Sequence, residues 1–203
     1  MVIAGKSRSG KTAYTAAAVK AAPLVIAWDI EEQWAKLPGW RGFTSLNALV
    51  KAARPRCKLA FISEGDIKAD FDAFCGVVFR LGEIMGGCVV IAEELADVTT
   101  TAKAPGNWGK LVRRGLKRGI TIYAISQRWA EADKTALGNP SEVVCFDSMP
   151  MDIDYMSKKT RIPIEELATL QKIEGASIIT LPYVHLDIDT GTRSRKKLTF
   201  RKK

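Results

Sequence analysis

Histidine and cysteine are scarce in these 203 residues: one His185, and four cysteines at Cys57, Cys75, Cys88 and Cys145. The cysteines have no C-x-x-C spacing and His185 has no cysteine or histidine beside it, which argues against a zinc site. All four cysteines lie within apolar runs and read as buried free thiols of a reducing compartment. The longest apolar runs are broken by charges, so no membrane span is expected. Internal repeats are also missing, and the length suits one good core. Acids are the minority charge, 22 against 31 Lys and Arg, leaving a net charge of +9 and a pI near 9.5. That balance points to a polyanionic partner such as nucleic acid, or to an anionic membrane surface. Part of it comes from a terminal cluster, Arg193, Arg195, Lys196, Lys197, Arg201, Lys202 and Lys203, which reads equally as a solvated end.

Against these absences stands one dense motif, Gly5-Lys6-Ser7-Arg8-Ser9-Gly10-Lys11-Thr12. It follows the apolar run from Met1 to Ala4 and leads into an Ala-rich helical segment, so it is G-x-x-x-x-G-K-T between strand and helix. Gly5 and Gly10 let the backbone curl so that successive N–H groups face one anion-sized hollow. The helix that follows adds its positive end. Lys11 is placed to reach β- and γ-phosphates, and Thr12 to offer a hydroxyl to Mg²⁺. With this loop opening at residue 5, no N-terminal signal is expected.

The helix after the loop is expected from Thr12 to Ala22, ended by Pro23. Leu24–Trp28 reads as a buried strand ending at Asp29, an acid that either lies at the ligand edge of the sheet or caps a following helix. Leu37 to Gly42 reads as a loop, Ser45 to Ala53 as a capped helix, and Lys58 to Ser63 as a strand. Phe71, Phe74, Cys75, Val78, Leu81 and Met85 fall at helical spacing, closed by Gly86-Gly87. Cys88 to Ala92 is a buried strand ending in Glu93-Glu94. Such a pair suits a nucleotide hydrolase, one carboxylate in the Mg²⁺ shell and the next polarising water; it is also what a solvated helix start favours. Asp97 to Asn107 reads as a loop and Trp108 to Lys117 as a basic helix. Ile120 to Ser126 is a strand running into Gln127, an amide placed to sense the γ-phosphate. Ala130 to Leu137 looks helical, Gly138-Asn139-Pro140 is a turn, and Val143 to Phe146 is a strand. Short helices follow at 152–159 and 164–170. Ala176 to Leu181 is a late strand, and Tyr183 to Asp187 pairs with Lys197 to Phe200 in a terminal hairpin over about 182–203. Alternating strands and helices imply an α/β chain, one domain with a mostly parallel sheet and helices on both faces.

The loop from Gly5 to Thr12, the strand ending in Glu93-Glu94, and the basic helix leading to Ile125-Ser126-Gln127-Arg128-Trp129 resemble the FtsK–HerA superfamily of DNA-pumping ATPases. The fit is to its small viral branch, the genome-packaging ATPases of tailless icosahedral viruses with an internal membrane, from Val2 to about Leu181. The resemblance implies a RecA/FtsK–HerA-like P-loop fold with ATP and Mg²⁺ as cofactors. It implies that Gly5, Lys6, Ser7, Arg8, Ser9, Gly10, Lys11 and Thr12 hold the phosphates. It puts Thr12 and Glu93 at the metal, Glu94 as catalytic base and Gln127 as sensor. Glu93 stands where Asp is usual, so its metal contact is direct or through water. The resemblance further implies a homo-oligomeric ring, usually hexameric, in which a neighbour's arginine completes each site. Arg114 is the first candidate, with Arg113 and Arg118 beside it. The implied activity is ATP-driven movement of double-stranded DNA into a preformed capsid, in the host cytoplasm and at the virion's packaging vertex with its capsid proteins. Lys103, Lys110, Arg54 and Arg56 are candidate pore contacts, each equally an ordinary solvated charge.

Three other readings compete. A filamentous-phage assembly ATPase shares the nucleotide motifs but needs a membrane-spanning segment. A small-molecule kinase with a phosphate loop would use Asp29 as its substrate acid, although Glu93-Glu94 with Gln127 suits water activation better. A DNA-binding module without enzymatic activity would have no use for the intact phosphate loop.

Overall fold

A computed structural model describes residues 1–101, 104, 106–138 and 140–202. The elements in order are β1 (Val2–Ala4), α1 (Lys11–Ala18), β2 (Leu24–Trp28), β3 (Trp40–Phe43), α2 (Leu46–Ala52), β4 (Cys57–Phe61), α3 (Ile67–Met85), β5 (Cys88–Ala92), α4 (Leu95–Val98) and α5 (Gly106–Arg114). A 3-10 turn (Leu116–Arg118) leads to β6 (Ile120–Ser126), α6 (Lys134–Gly138), β7 (Glu142–Cys145), α7 (Pro150–Thr160), α8 (Ile164–Ala168), β8 (Ile173–Glu174), β9 (Ile178–Asp187) and β10 (Arg193–Arg201). The strands form one sheet in the order β10-β9-β7-β1-β6-β5-β2-β4-β3, with β8 beside β9. From β7 to β3 all neighbours are parallel, while β9 is antiparallel to β7, β8 and β10. Strand β6 therefore lies between β1 and β5, with Ser126 beside Ala4 and Ala124 beside Ala92. This order brings the ends of the phosphate-loop strand, the amide strand and the acidic strand to one edge.

A strand covered on both faces reads as an unbroken apolar run, and all five residues of β2 are buried. Alternate residues feed two cores: Leu24, Ile26 and Trp28 enter one, Val25 and Ala27 the other. The larger core takes the inner sides of α2 through α8, dominated by the α3 stripe of Phe71, Phe74, Cys75, Val78 and Leu81. Trp28 anchors it, with ring centroids 5.2 Å from Phe71 and 5.7 Å from Phe74. The opposite face is covered differently. Helix α1, the segment holding Trp34 and Trp40, and Tyr183 and Leu198 of the hairpin close it. Helices thus lie on both faces, very unequally.

Several expected elements differ in detail. Helix α1 ends at Ala18, because the turn over Val19 to Ala22 tightens before Pro23, which disfavours helical backbone at the residue ahead of it. Strand β3, a four-residue edge strand templated by β4, begins within the expected loop at Leu37 to Gly42; Pro38-Gly39 and Gly42 hide it in the sequence. The expected loop at Asp97 to Asn107 is flanked by helical turns, α4 ahead of it and α5 from Gly106. The helix expected at Ala130 to Leu137 starts only at Lys134, since Asp133 accepts from the N–H of Thr135 at 2.7 Å and so marks the start. At the end of the chain, the late strand and the first hairpin strand are one strand, β9, continuous through Pro182, and β10 is longer than expected. β9 pairs with β7, so the hairpin extends the main sheet. The cysteines are free, three buried and Cys57 half-buried. Burial pushes the Cys88 and Cys145 thiols up to about 12. Lys103 and Lys203, and the turn residues Pro105 and Asn139, lie outside the described residues.

Candidate nucleotide site

The carboxyl ends of β1, β6, β5 and β2 open on a cleft of ≈ 420 Å³, lined by the loop from Ser7 to Ala13 with Glu31, Gln33, Glu93, Glu94 and Gln127. Of the expected site residues, Ser7 to Thr12, Glu93, Glu94 and Gln127 come together there, while Gly5 and Lys6 are not among the lining residues. Gly5 has φ +156° and Gly10 φ +112°. A Cβ on Gly5 would lie 2.5 Å from Ser9 Oγ and 2.7 Å from Phe146 Cβ, so the loop can pass over β7 only with glycine. Arg8 takes the left-handed conformation at φ +60°, completing the curl, and its side chain is exposed. Lys6 is drawn aside, its ammonium 2.7 Å from Asp147 Oδ2. Lys11 is buried and its ammonium donates to the carbonyls of Gly5 at 2.7 Å and Lys6 at 2.9 Å. Burial lowers its pKa from the usual lysine value, partly offset by Glu94, Glu93 and Glu31. Ser9 Oγ, buried in the same loop, has no partner among the described residues. A loop of this shape presents donors and a buried cation to an oxyanion.

The two acids are buried and behave differently. Glu94 sits at the N-cap position of α4, yet its side chain makes no cap hydrogen bond. It turns instead to β6, accepting from Ser126 Oγ at 3.0 Å and from the Gln127 N–H at 3.3 Å to each oxygen. Its backbone is left-handed at φ +45°, ψ +60°, a conformation that costs about 1–3 kcal/mol in a residue with a Cβ and that clusters at functional sites. Both residues are largely buried and the Glu94 side chain caps nothing, which disfavours the reading of this pair as an exposed helix start. Glu93 Oε2 accepts from the Trp34 indole N–H at 3.1 Å. Burial, then the nearby Asp29 and Glu31 charges, push its pKa up to about 8, against the pull of Trp34 and Lys11. Gln127, just past the end of β6, lines the cleft beside Glu94.

The segment after β2 also enters the site, and of it only Asp29 stands out in the sequence. Asp29 is fully buried and accepts three backbone N–H bonds, from Gln33 at 2.8 Å, Trp34 at 3.1 Å and Ala35 at 2.8 Å. It is a cap, as one reading had it, but of a turn and not of a helix. Burial raises its pKa, and the three N–H donors pull the other way. Gln33 Oε1 accepts from the Thr12 hydroxyl at 3.1 Å, and Gln33 Nε2 donates to Glu31. The signal for this segment is its position, a polar run directly after the carboxyl end of a buried strand.

The expected arginines are elsewhere. Arg113 and Arg114 end α5 and Arg118 lies in the 3-10 turn, all before β6, at the edge opposite the cleft. Seven residues of strand separate them from it, roughly 20 Å. Arg118 is paired with Glu83 at 2.5 Å and lies over the Phe79 ring; Arg114 is exposed. Of the candidate pore residues, Lys110 rests 4.3 Å from the centre of the Phe79 ring, and Arg54 and Arg56 are exposed ahead of β4. Thr12 and Glu93, one hydroxyl and one carboxylate beside the phosphate cradle, fit a hard cation that keeps most of its shell for water and phosphate oxygens, as Mg²⁺ does. Among the described residues no cluster of three or more His, Cys, Asp or Glu could cage a metal alone, and no helix is long and apolar enough to cross a membrane.

Comparison with known proteins supports the same architecture. No protein-family model matches the chain. Protein P9 of Pseudoalteromonas phage PM2 is 29% identical over 211 residues, covering 98% of this chain and 90% of that protein. Among solved structures, the genome-packaging NTPase B204 of Sulfolobus turreted icosahedral virus 2, in complex with AMPPCP, superposes with a TM-score of 0.75 at 16% identity, over 96% of this chain and 94% of B204. The N-terminal domain of zonular occludens toxin from Neisseria meningitidis fits less closely, with a TM-score of 0.51 at 16% identity over 97% and 92% of the two chains. The chain thus has the fold of a viral genome-packaging NTPase, along nearly its whole length.

Proposed function

We propose that the protein is an ATPase that moves double-stranded DNA into a viral capsid, working as a homo-oligomeric ring. The observation that carries the hydrolytic part is Glu94, a carboxylate turned away from capping and held by Ser126 and Gln127 across the cleft from Lys11 and Thr12. In this reading Lys11 and the loop N–H groups bind the phosphates. Thr12 and Glu93 hold Mg²⁺, Glu94 takes a proton from the attacking water, and Gln127 reports whether the γ-phosphate is present. The likeness to B204, with its bound ATP analogue, supports the nucleotide. The excess of 31 basic over 22 acidic residues supports a polyanionic track.

Contacts of such a motor fall mainly on phosphates, so binding is weakly specific for sequence and strongly dependent on salt. ATP hydrolysis is therefore expected to rise on adding duplex DNA of arbitrary sequence, and the stimulation to fade between about 50 and 200 mM salt. Stimulation by a small hydroxyl-bearing acceptor in place of DNA, with phosphate transferred to it, would establish the kinase reading.

The position of the arginines supports the ring reading. Because Arg113, Arg114 and Arg118 lie at the edge opposite their own cleft, any of them can serve catalysis only in another subunit's site. Arg114 remains the first candidate, since Arg118 is already paired. Mixing inactive Lys11→Ala subunits with inactive Arg114→Ala subunits is expected to restore part of the turnover, because some interfaces then combine an intact cleft with an intact arginine. Restoration by Arg113→Ala or Arg118→Ala mixtures instead would move the role to that residue.

A further inference from the structure

The turn from Asp29 to Ala35 touches both groups assigned to the metal, and it does so from one short segment. Trp34, fully buried, donates its indole N–H to Glu93 Oε2 at 3.1 Å. Gln33 accepts the Thr12 hydroxyl proton at 3.1 Å. The three N–H bonds to the buried Asp29 carboxylate fix the segment so that neighbouring side chains diverge to these two targets. We infer that Trp34 and Gln33 are positioning residues that prepare Glu93 and Thr12 to hold the nucleotide's divalent cation, an inference that rests on the hydrolytic reading above.

The chemistry of each contact is specific. A threonine hydroxyl has one proton and two lone pairs. To face a cation with a lone pair it must direct its proton elsewhere, and Gln33 Oε1 takes that proton. The Gln33 amide is held in the required sense by its Nε2, which donates to Glu31. For Glu93, a donor on Oε2 stops the carboxylate from rotating and leaves Oε1 for the cation or its water. A glutamate has one more torsion to fix than the aspartate more usual there, so the indole restrains freedom that the longer side chain introduces. Ligand-orienting groups of this kind typically change metal affinity by about 10–100-fold when removed.

The test is Mn²⁺ binding, followed by electron paramagnetic resonance in the presence of a non-hydrolysable ATP analogue, alongside ADP binding in EDTA. Trp34→Phe keeps a ring against Trp40, whose centroid is 5.0 Å away, and removes the donor. Gln33→Leu changes an exposed side chain that bears little on folding. Both are expected to weaken Mn²⁺ by about 10–100-fold, Trp34→Phe more, with metal-free ADP affinity within about twofold of wild type. Thr12→Val and Glu93→Gln serve as references. If they weaken Mn²⁺ while Trp34→Phe and Gln33→Leu do not, the inference fails and the site stands. If the references also leave Mn²⁺ binding unchanged, the metal assignment and the inference fall together. Should Trp34→Phe not fold, Gln33→Leu decides alone. Weakened ADP binding in EDTA, matching the loss of Mn²⁺, would reduce both residues to general supports of the cleft and overturn the inference.

Discussion

Glu94→Gln is expected to lower ATP turnover by about 10²–10⁴-fold while leaving ATP bound, the range a positioned general base supplies. The substitution is nearly isosteric. Its amide oxygen still accepts from Ser126 Oγ or the Gln127 N–H, which now bind the carboxylate at 3.0 and 3.3 Å. The left-handed backbone at Glu94 is fixed by its place between β5 and α4, so the loop has no reason to move. What disappears is the ability to accept a proton from water. Lys11→Ala provides the contrast. It removes the cation from the cradle and leaves the base, so nucleotide affinity falls along with turnover. Equilibrium binding of a fluorescent ATP analogue, measured beside steady-state phosphate release, separates the two. Normal turnover in Glu94→Gln would remove the base assignment, and lost binding in the same variant would make Glu94 a structural member of the cleft.

The parts of this site that were legible in the sequence are those whose chemistry is local. The phosphate loop declares itself because its glycines, lysine and threonine must follow one another in the chain, and the close approach of Phe146 Cβ at Gly5 and the positive φ at Gly10 show why glycine stands at both places. Glu93-Glu94 and Gln127 were legible because each ends an apolar run, and parallel strands bring such ends to one edge. Trp34 was not. Its role depends on a tertiary contact 59 residues away, and an indole after a polar run looks like any core aromatic. Strand β3 was hidden for a related reason: four residues with one glycine among them and another just ahead pair only because β4 offers a free edge. Pro182 hid the continuity of β9, since proline usually ends a strand. It is tolerated here because it falls between Thr180, the last β9 residue paired with β8, and Val184, the first paired with β7, and so lacks a neighbour on that side to receive an N–H. The arginines show the limit of position in sequence. A basic helix directly before the amide strand looks close to the site, yet the strand's full length separates them.

Glu93→Gln is expected to stabilise the metal-free protein at pH 8 and to flatten its stability between about pH 5 and 8. The sign follows from linkage. The carboxyl titrates at about 8 in the folded chain, against an ordinary value of 4.5. Between these values the folded state holds a proton that the unfolded state has released, so stability falls as pH rises through the window and the loss is complete above the folded value. A displacement of that size corresponds to no more than about 5 kcal/mol, and to roughly 2–4 kcal/mol once water penetration and relaxation are allowed for. Asp29 contributes in the same sense, its pKa being raised by burial, so the measurement is the difference between wild type and Glu93→Gln in urea unfolding at pH 5 and pH 8 with EDTA present. An equal pH slope in the two proteins would show that Glu93 carries no such penalty. Adding Mg²⁺ and nucleotide should recover the lost stability in wild type and much less in the variant, because the cation supplies the opposite charge that burial withholds. Under the proposed metal role, the carboxylate that burial disfavours at neutral pH is the same one whose charge the cation would offset.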